Sequence, residues 1–299
     1  MEIRFIEGKD IDKVKWNSCI HYATNGNIFA YKWFLDYVAK DWHALVEGDY
    51  ESVFPLVWKK GLLGKDELYQ PSLMRELGIY SINVLSRARV QRFLEAIPAE
   101  YQTVDIQLNE QNSPPEGIGF KLEKKQNQQL FLGQPYEILR ESYSEELQQQ
   151  LQKAEDHNFL PSSGLKPEKI ADFFLKHTRG STKEKNKKFH ALQRIMYNVL
   201  HRGWGFASGI SGANQELLAV NFFIYSHNKV LSLVPVVSPK GKQQHALAYL
   251  MDLLIKTHAN RPLILDFNVQ EENTLAAYYG ALPNKYYRIY RKKKKWGLF

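Results

Sequence analysis

Residues 204–238 read WGFASGISGANQELLAVNFFIYSHNKVLSLVPVVS. Three apolar runs rich in β-branched and aromatic residues, WGFASGIS, ELLAVNFFIYS and KVLSLVPVVS, are separated by Gly-Ala-Asn-Gln and His-Asn-Lys. Breaks of this kind are hairpin chemistry, because Gly and Asn tolerate the left-handed backbone of a tight reversal. The stretch therefore predicts three consecutive antiparallel strands, and the rest of the second half is read outward from them.

Upstream, KPEKIADFFLKHT at 166–178 places Pro167 near a helix start and Ile170, Phe173, Phe174 and His177 at helical spacing. A second helix follows with Phe189, Leu192, Met196, Val199 and Leu200 on one face, and Gly203-Trp204-Gly205 ends it. Downstream, PKGK leads into a helix expected from about Gln243 to Thr257, then the strand LILDF at 263–267, a short helix through 274–279 and the strand KYYRIYR. The order is α-α-β-β-β-α-β-α-β. The first half echoes it: helices at 10–21 and 31–40, a hairpin around Gly48-Asp49, a loop-rich segment (LYQPSLMRELGIYS), a helix near 88–97, the strand TVDIQLN and a last hairpin within GFKLEKKQNQQLFL. These readings predict an α/β protein with a mixed (α+β) sheet, built as two similar halves, 1–140 and 141–299.

The composition is that of a globular chain, 44% hydrophobic and 24% charged over 299 residues. A single cysteine, Cys19, excludes an internal disulfide framework. The start, MEIRFIEGKDID, lacks a basic region followed by an apolar run, and no stretch of 18 apolar residues occurs, so neither a signal peptide nor a membrane span is expected and the predicted location is cytoplasmic. The net charge of +8 is concentrated in two places, residues 181–202 and 285–295. Concentrated positive charge attracts phosphates on nucleic acid, nucleotide cofactors or anionic lipid; a solvated helix face plus a soluble tail is the alternative.

The element order resembles the GNAT acyltransferases, and the duplication resembles their FemAB-like branch, in which two GNAT-like domains are fused. The resemblance rests on YSEELQQQLQKAEDHNF at 143–159 with Lys153-Ala154 at its helix end, on Asp266-Phe267 closing a late strand, on Tyr278-Tyr279-Gly280-Ala281, and on IFAYKWFLDYVAKDW and YQPSL in the first half. It covers most of the chain. It implies transfer of an acyl or aminoacyl group to an amine of a small molecule or peptide, with acetyl-CoA or another acyl-CoA as donor, or aminoacyl-tRNA in its place and tRNA as a partner. It also implies that the donor lies in the second half. In the CoA-using relatives a glycine-bearing turn before a helix holds the pyrophosphate on backbone N–H groups. Here that stretch is SPKGKQQHALAYL, with Gly241 between Lys240 and Lys242, and Gln243 or Gln244 where a second glycine is expected.

The implied donor residues are Val236, Val237, Pro239, Gly241, Lys242, Gln243, Gln244 and His245. Trp33, Tyr69, Gln70 and Phe267 are implied in acceptor binding. Acyl transfer to an amine needs an acceptor for the amine proton, aligned donors for the carbonyl oxygen, and an acid for the leaving group. Asp266 is the candidate acceptor, or else a strand-end carboxylate that caps the next helix or pairs with lysine. Tyr278 or Tyr279 is the candidate acid, or else packs on the sheet; as neighbours they do not both face one site. His245 touches a phosphate or is an exposed polar residue. CxxC, HExxH, GxSxG and GxGxxG patterns are absent, so no metal site is expected. A Cys19–His21 nucleophile pair is disfavoured by its spacing. The rival function is a non-catalytic, degenerate acyltransferase that binds RNA or an anionic polymer through the basic surfaces.

Overall fold

The computed structural model describes residues 2–61, 64–269 and 274–292. The chain divides into two compact units, Met1–Gln126 with Lys285–Phe299, and Asn127–Asn284.

The first unit contains β1 (Ile3–Ile6), α1 (Lys13–Tyr22), α2 (Lys32–Val38), β2 (Asp41–Glu47), β3 (Ser52–Lys60), β4 (Asp66–Tyr69), β5 (Tyr80–Ser81), α3 (Arg87–Glu95) and β6 (Tyr101–Gln107). β7 (Lys121–Phe131) then runs through the unit boundary. β1, β2 and β3 pair antiparallel in sequence order, and β3 pairs antiparallel with both β4 and β5. β4 lies parallel to β6. Pro55 sits in the middle of β3, opposite Ala44, between the residues that pair with β5 and those that pair with β4. A residue without an N–H is tolerated where one side of the strand has no ladder to feed. α3 is capped by the Ser86 hydroxyl, which accepts from Arg89 N–H at 3.2 Å. Arg89 and Arg92 of this helix meet the buried Glu47 carboxylate at 3.1 and 2.7 Å, and the Ser52 hydroxyl also donates to it, at 2.8 Å.

The second unit contains α4 (Tyr136–Glu141), α5 (Glu145–Glu155), β8 (Leu160–Ser163), α6 (Pro167–His177), α7 (Thr182–His201), β9 (Gly205–Ser211), β10 (Leu217–Ser226), β11 (Lys229–Ser232), β12 (Val236–Val237), α8 (Pro239–Gln243), α9 (Ala246–His258), β13 (Ile264–Asp266) and α10 (Thr274–Tyr278). β14 (Leu282–Lys292) follows and crosses back into the first unit, where it pairs antiparallel with β6. The predicted hairpins are present: β9–β10 and β10–β11 are antiparallel. β11 is parallel to β13, and β13 is antiparallel to the end of β7. α6 begins at Pro167 and buries Ile170, Ala171 and Phe173. α7 is capped by Ser181, whose hydroxyl accepts from Glu184 N–H, and buries Leu192, Ile195, Met196 and Val199.

The two units share one element order: strand, two helices, two strands, a pair of strands on the same partner, a helix and a parallel strand. β3, β4, β5, α3 and β6 correspond to β10, β11, β12, α9 and β13. The fold is a mixed α/β tandem, as the sequence predicts.

Two local expectations change. The hairpin expected within 119–132 is one continuous strand, β7. Asn127, which reads as turn chemistry, instead uses its side-chain amide to bind Asp266 and the Val269 N–H, so a polar residue sits inside a strand. The helix expected from about 243 is two helices, α8 and α9, separated at His245, whose φ of 58° is left-handed. Two histidine neighbours on the sequence, Gln243 and Gln244, therefore belong to the end of α8 and its cap rather than to the start of α9.

Candidate functional site

The second unit's central strand, β10, carries one polar residue in an otherwise apolar core run, Asn221, which is fully buried. Its Nδ2 donates to the Ser232 hydroxyl at 2.8 Å, and its Oδ1 accepts from the Val234 N–H at 3.2 Å. The preceding N–H, of Leu233, goes to Phe222 O at 2.9 Å. Two successive N–H groups turned to the same neighbour mark a bulge, which bends a strand away from its other partner. The parallel pairing of β11 with β13 ends at Leu231–Asp266, and after the bulge the chain re-pairs with β10 as β12. The two parallel strands thus part at a mouth whose sides are 232–237 and 267–269.

The donor residues implied by the resemblance follow directly. Val236 and Val237 form β12 opposite Val220 and Ala219. Ser238, not singled out from the sequence, caps α8: its hydroxyl accepts from Gly241 N–H at 3.0 Å and its carbonyl from Lys242 N–H at 2.8 Å. Pro239 has no N–H to offer. Gly241 is buried, and a Cβ there would lie 2.3 Å from Leu218 O on β10. Glycine is required here to seat α8 on the sheet. Lys240 is held by Glu216, whereas Lys242 and Gln243 are exposed and Gln244 is half-buried. His245 is half-buried; desolvation, with Lys153 and His157 nearby, holds its imidazole below the ordinary value.

Asp266 is buried at 1% exposure. Its carboxylate accepts from Asn127 Nδ2 at 2.8 Å, Gln129 Nε2 at 3.1 Å and the Asn268 N–H at 2.8 Å. This arrangement ties the end of β13 to β7 and shapes the turn that follows. Phe267, also buried, stacks on Tyr279 with centroids 5.8 Å apart. Tyr279 has no exposed surface, and its hydroxyl donates to Ala248 O of α9 at 2.6 Å. Burial, with the Asp252 carboxylate near, pushes this phenol well above its usual range. Tyr278 takes the opposite orientation: half-buried, it lies beside the Glu146 carboxylate of α5, which raises its phenol. The same Glu146 contributes to the field at His245. Tyr278 and His245 both feel the Glu146 carboxylate, while Asp266, Phe267 and Tyr279 belong to the packed interior.

A second group escaped the sequence reading. Asp252 of α9, mostly buried, accepts from Tyr136 OH at 2.9 and 3.0 Å and from Tyr143 OH at 2.9 Å. Burial outweighs the two phenol donors and raises this carboxyl. The spacing of these residues, over 100 apart in sequence, gives no local signal.

Of the acceptor candidates, Trp33 lies in α2 with its ring near Phe34 and Tyr37 at 5.5 and 5.7 Å. Tyr69 ends β4 beneath the Lys59 ammonium at 4.9 Å. Gln70 is engaged at both ends, donating to Met74 O at 2.9 Å and accepting from Gln107 N–H at 3.0 Å. All three are in the first unit.

Among the described residues no helix is long and apolar enough to cross a membrane, and no group of three or more His, Cys, Asp or Glu gathers as metal ligands would. Cys19 is buried against Glu51 O and Tyr80 O, and burial pushes its thiol up to about 12. Such a thiol is a poor nucleophile. The lysines of α7 at 183 and 187 are exposed, and the basic run at 293–295 lies outside the described residues.

No protein-family model matches the sequence, and no curated protein matches it. Solved structures do. FemX matches with a TM-score of 0.64 at 10% identity, covering 96% of this chain and 97% of that one. A tandem GNAT protein from the clavulanic acid biosynthesis pathway matches with a TM-score of 0.58 at 12% identity, covering 97% and 98%. L-PGS from Bacillus licheniformis matches with a TM-score of 0.54 at 12% identity, covering 95% and 93%. The chain has the fold of the FemAB-like tandem GNAT proteins.

Proposed function

We propose that the protein is an N-acyltransferase that moves an acyl or aminoacyl group onto an amine by direct attack, with the donor held at the mouth between β11–β12 and β13. The observation that carries this reading is the bulge at Leu233–Val234, held by the Asn221 side chain, which parts two parallel strands of an otherwise apolar sheet. A buried amide in a strand core is costly unless its hydrogen bonds are made, and those of Asn221 go to Ser232 and Val234 at the bulge.

In the step itself the neutral amine attacks the donor carbonyl. A C–N bond forms, the tetrahedral oxygen collects negative charge, and the C–O or C–S bond to the carrier breaks. The amine gives up a proton and the departing oxygen or sulfur takes one. Backbone N–H groups aligned at such a mouth are worth roughly 3–4 kcal/mol each to the developing oxyanion. Tyr278, protonated and beside the Glu146 carboxylate, is the proposed acid. Asp266 and Tyr279 act at one remove, by fixing the strand end and α9.

The donor turn favours aminoacyl-tRNA over acyl-CoA. Pro239 lacks an N–H, Ser238 occupies those of Gly241 and Lys242, and Gln243 or Gln244 stands in place of the second glycine, so few donors remain to cradle a pyrophosphate. FemX and L-PGS share this fold with the tandem GNAT protein. The test is single-turnover transfer from radiolabelled aminoacyl-tRNA and, separately, from acetyl-CoA, to a panel of amines and amino-terminal peptides. Transfer from either donor that falls at least a hundredfold in Tyr278→Phe supports the reading. No transfer from either, with RNA still bound in a salt-dependent way, supports a non-catalytic RNA-binding protein held by its basic surfaces.

A further inference from the structure

The first unit contains a groove of about 730 Å³ between the start of α3, the loop before β7 and the outer part of β14. That volume suits a nucleotide-sized ligand. Its walls include the rings of Phe120 and Tyr287, and its rim carries Arg87 and Lys124, both exposed, against one carboxylate, Glu116. Behind Phe120 lies Arg291, its guanidinium carbon 4.5 Å from the ring centroid. Tyr287 and Arg291 are four residues apart on β14 and so share one face of the strand.

Arg291 is the anomaly. Its Nε and Nη2 are buried and, among the described residues, no acceptor lies within hydrogen-bond reach of them. Burial lowers this guanidinium from its ordinary value with nothing to offset it. The next arginine on the strand behaves differently: Arg288, on the other face, meets Asp105 at 2.7 Å and Glu123 at 3.0 Å. Among the described residues, one of these two arginines, three positions apart, is thus neutralised and the other meets no carboxylate. An arginine with buried, unbonded N–H groups is costly for folding alone, because their desolvation is offset only by the contact with the Phe120 ring.

We propose that this groove is a binding site for a nucleoside phosphate, the base stacking on Phe120 and Tyr287 and the phosphate neutralising Arg87 and Lys124, with the field of Arg291 acting through the Phe120 ring. Guanidinium behind an aromatic wall polarises that wall, and an anion in front of it is drawn to the combined charge. The site lies wholly within the first unit and does not depend on the transfer chemistry assigned to the second.

The test is titration calorimetry of the full chain with AMP and UMP, with ribose 5-phosphate as the base-free probe and adenosine as the phosphate-free one, paired with thermal melts. The nucleotides are expected to bind, each probe lacking one half to bind at least tenfold more weakly, and Lys124→Ala and Phe120→Ala each to raise Kd by roughly three- to tenfold. Arg291→Met keeps the aliphatic contact with Phe120 and removes the charge. It is expected to weaken nucleotide binding while leaving the melting temperature unchanged or higher, which an arginine serving structure would not do. Failure of both nucleotides to bind at millimolar concentration overturns the proposal. So does equal binding by ribose 5-phosphate, which would mean a bare phosphate patch, and so does unchanged affinity in Arg291→Met with a lowered melting temperature.

Discussion

The two units contain the same pair of parallel strands and treat the end of that pair differently. In the second unit β11 and β12 are joined by three residues, 233–235, and the mouth beside β13 is formed by a bulge that Asn221 holds. In the first unit the corresponding strands, β4 and β5, are joined by ten residues, 70–79. That insertion turns back onto β6: Leu77 N–H donates to Gln107 O at 2.7 Å, Leu77 bridges Leu108, and Gln70 spans Met74 and Gln107. Among the described residues the first mouth is stoppered by its own chain, whereas the second is bounded by the short 233–235 link. This difference is what favours the second unit in the proposed donor placement.

The largest expected effect tests how tightly the second mouth is built. Gly241→Val would force a Cβ into Leu218 O, and is expected to cost about 3 kcal/mol in denaturant unfolding and to abolish transfer. In the first unit the segment between β5 and α3 carries Val84, 84% exposed, and Val84→Lys should change stability by less than about 0.5 kcal/mol. Equal losses in the two variants would erase the contrast.

Asn221→Leu is next. It leaves the Val234 N–H and the Ser232 hydroxyl without their partner, at a cost of about 2 kcal/mol, and transfer should fall with it because the bulge relaxes. Gln70→Leu removes a comparable pair of bonds in the first unit, at about 1–2 kcal/mol, yet should leave the transfer rate per folded molecule unchanged. Single-turnover rates beside urea midpoints separate the two. A loss of transfer in Gln70→Leu equal to that in Asn221→Leu would break the comparison.

Asp266→Asn sharpens it further. One carboxylate oxygen becomes an amide N–H2 facing the Asn127 or Gln129 side-chain donors, so roughly 1–2 kcal/mol of stability should go. If Asp266 orders the strand end, KM and kcat should change within a fewfold and the pH profile should keep its shape. A lost acidic limb would make Asp266 the proton acceptor instead.

The smallest effect concerns the far end of β10. His258 is buried, its Nδ1 donating to Leu254 O at 2.9 Å and its Nε2 accepting from Tyr225 OH at 2.6 Å. Burial holds this imidazole below its ordinary value. The unfolded chain therefore binds the proton more readily, so the contribution is complete above the usual histidine range, near 6.5, and is lost as pH falls through it towards the folded value. A urea midpoint that falls between pH 7 and 5, and falls less in His258→Gln, is the expected outcome. An unchanged pH slope in the variant would remove His258 from the account.

Much of the architecture was legible in the sequence because it is local. The runs of 204–238 are bounded by turns whose residues announce themselves, and α6 and α7 carry Pro167 and Ser181-x-x-Glu184 where helices begin. The mouth was legible only as an order of elements. Asn221 was visible, one amide in an apolar strand, but its meaning depends on the bulge 13 residues later. Gln70, implied in acceptor binding by the resemblance alone, is bonded to the inserted segment and to β6. The reading of 119–132 as a hairpin failed because Asn127 prefers a partner 139 residues away, at Asp266, to a turn of its own. Arg291 could not be told from Arg288 by sequence, since only the fold decides which of them meets Asp105.

The central claim, that the donor sits in the second unit's mouth, is most directly tested by photocrosslinking. An aminoacyl-adenosine analogue with a diazirine in its acyl group, and an acyl-CoA carrying the same group, would be irradiated with the full chain and the labelled peptides mapped by mass spectrometry. Label confined to 232–245 and 264–269, lost in Asn221→Leu and kept in Gln70→Leu, is the predicted result. Label on 66–81, the stoppered copy, would contradict it.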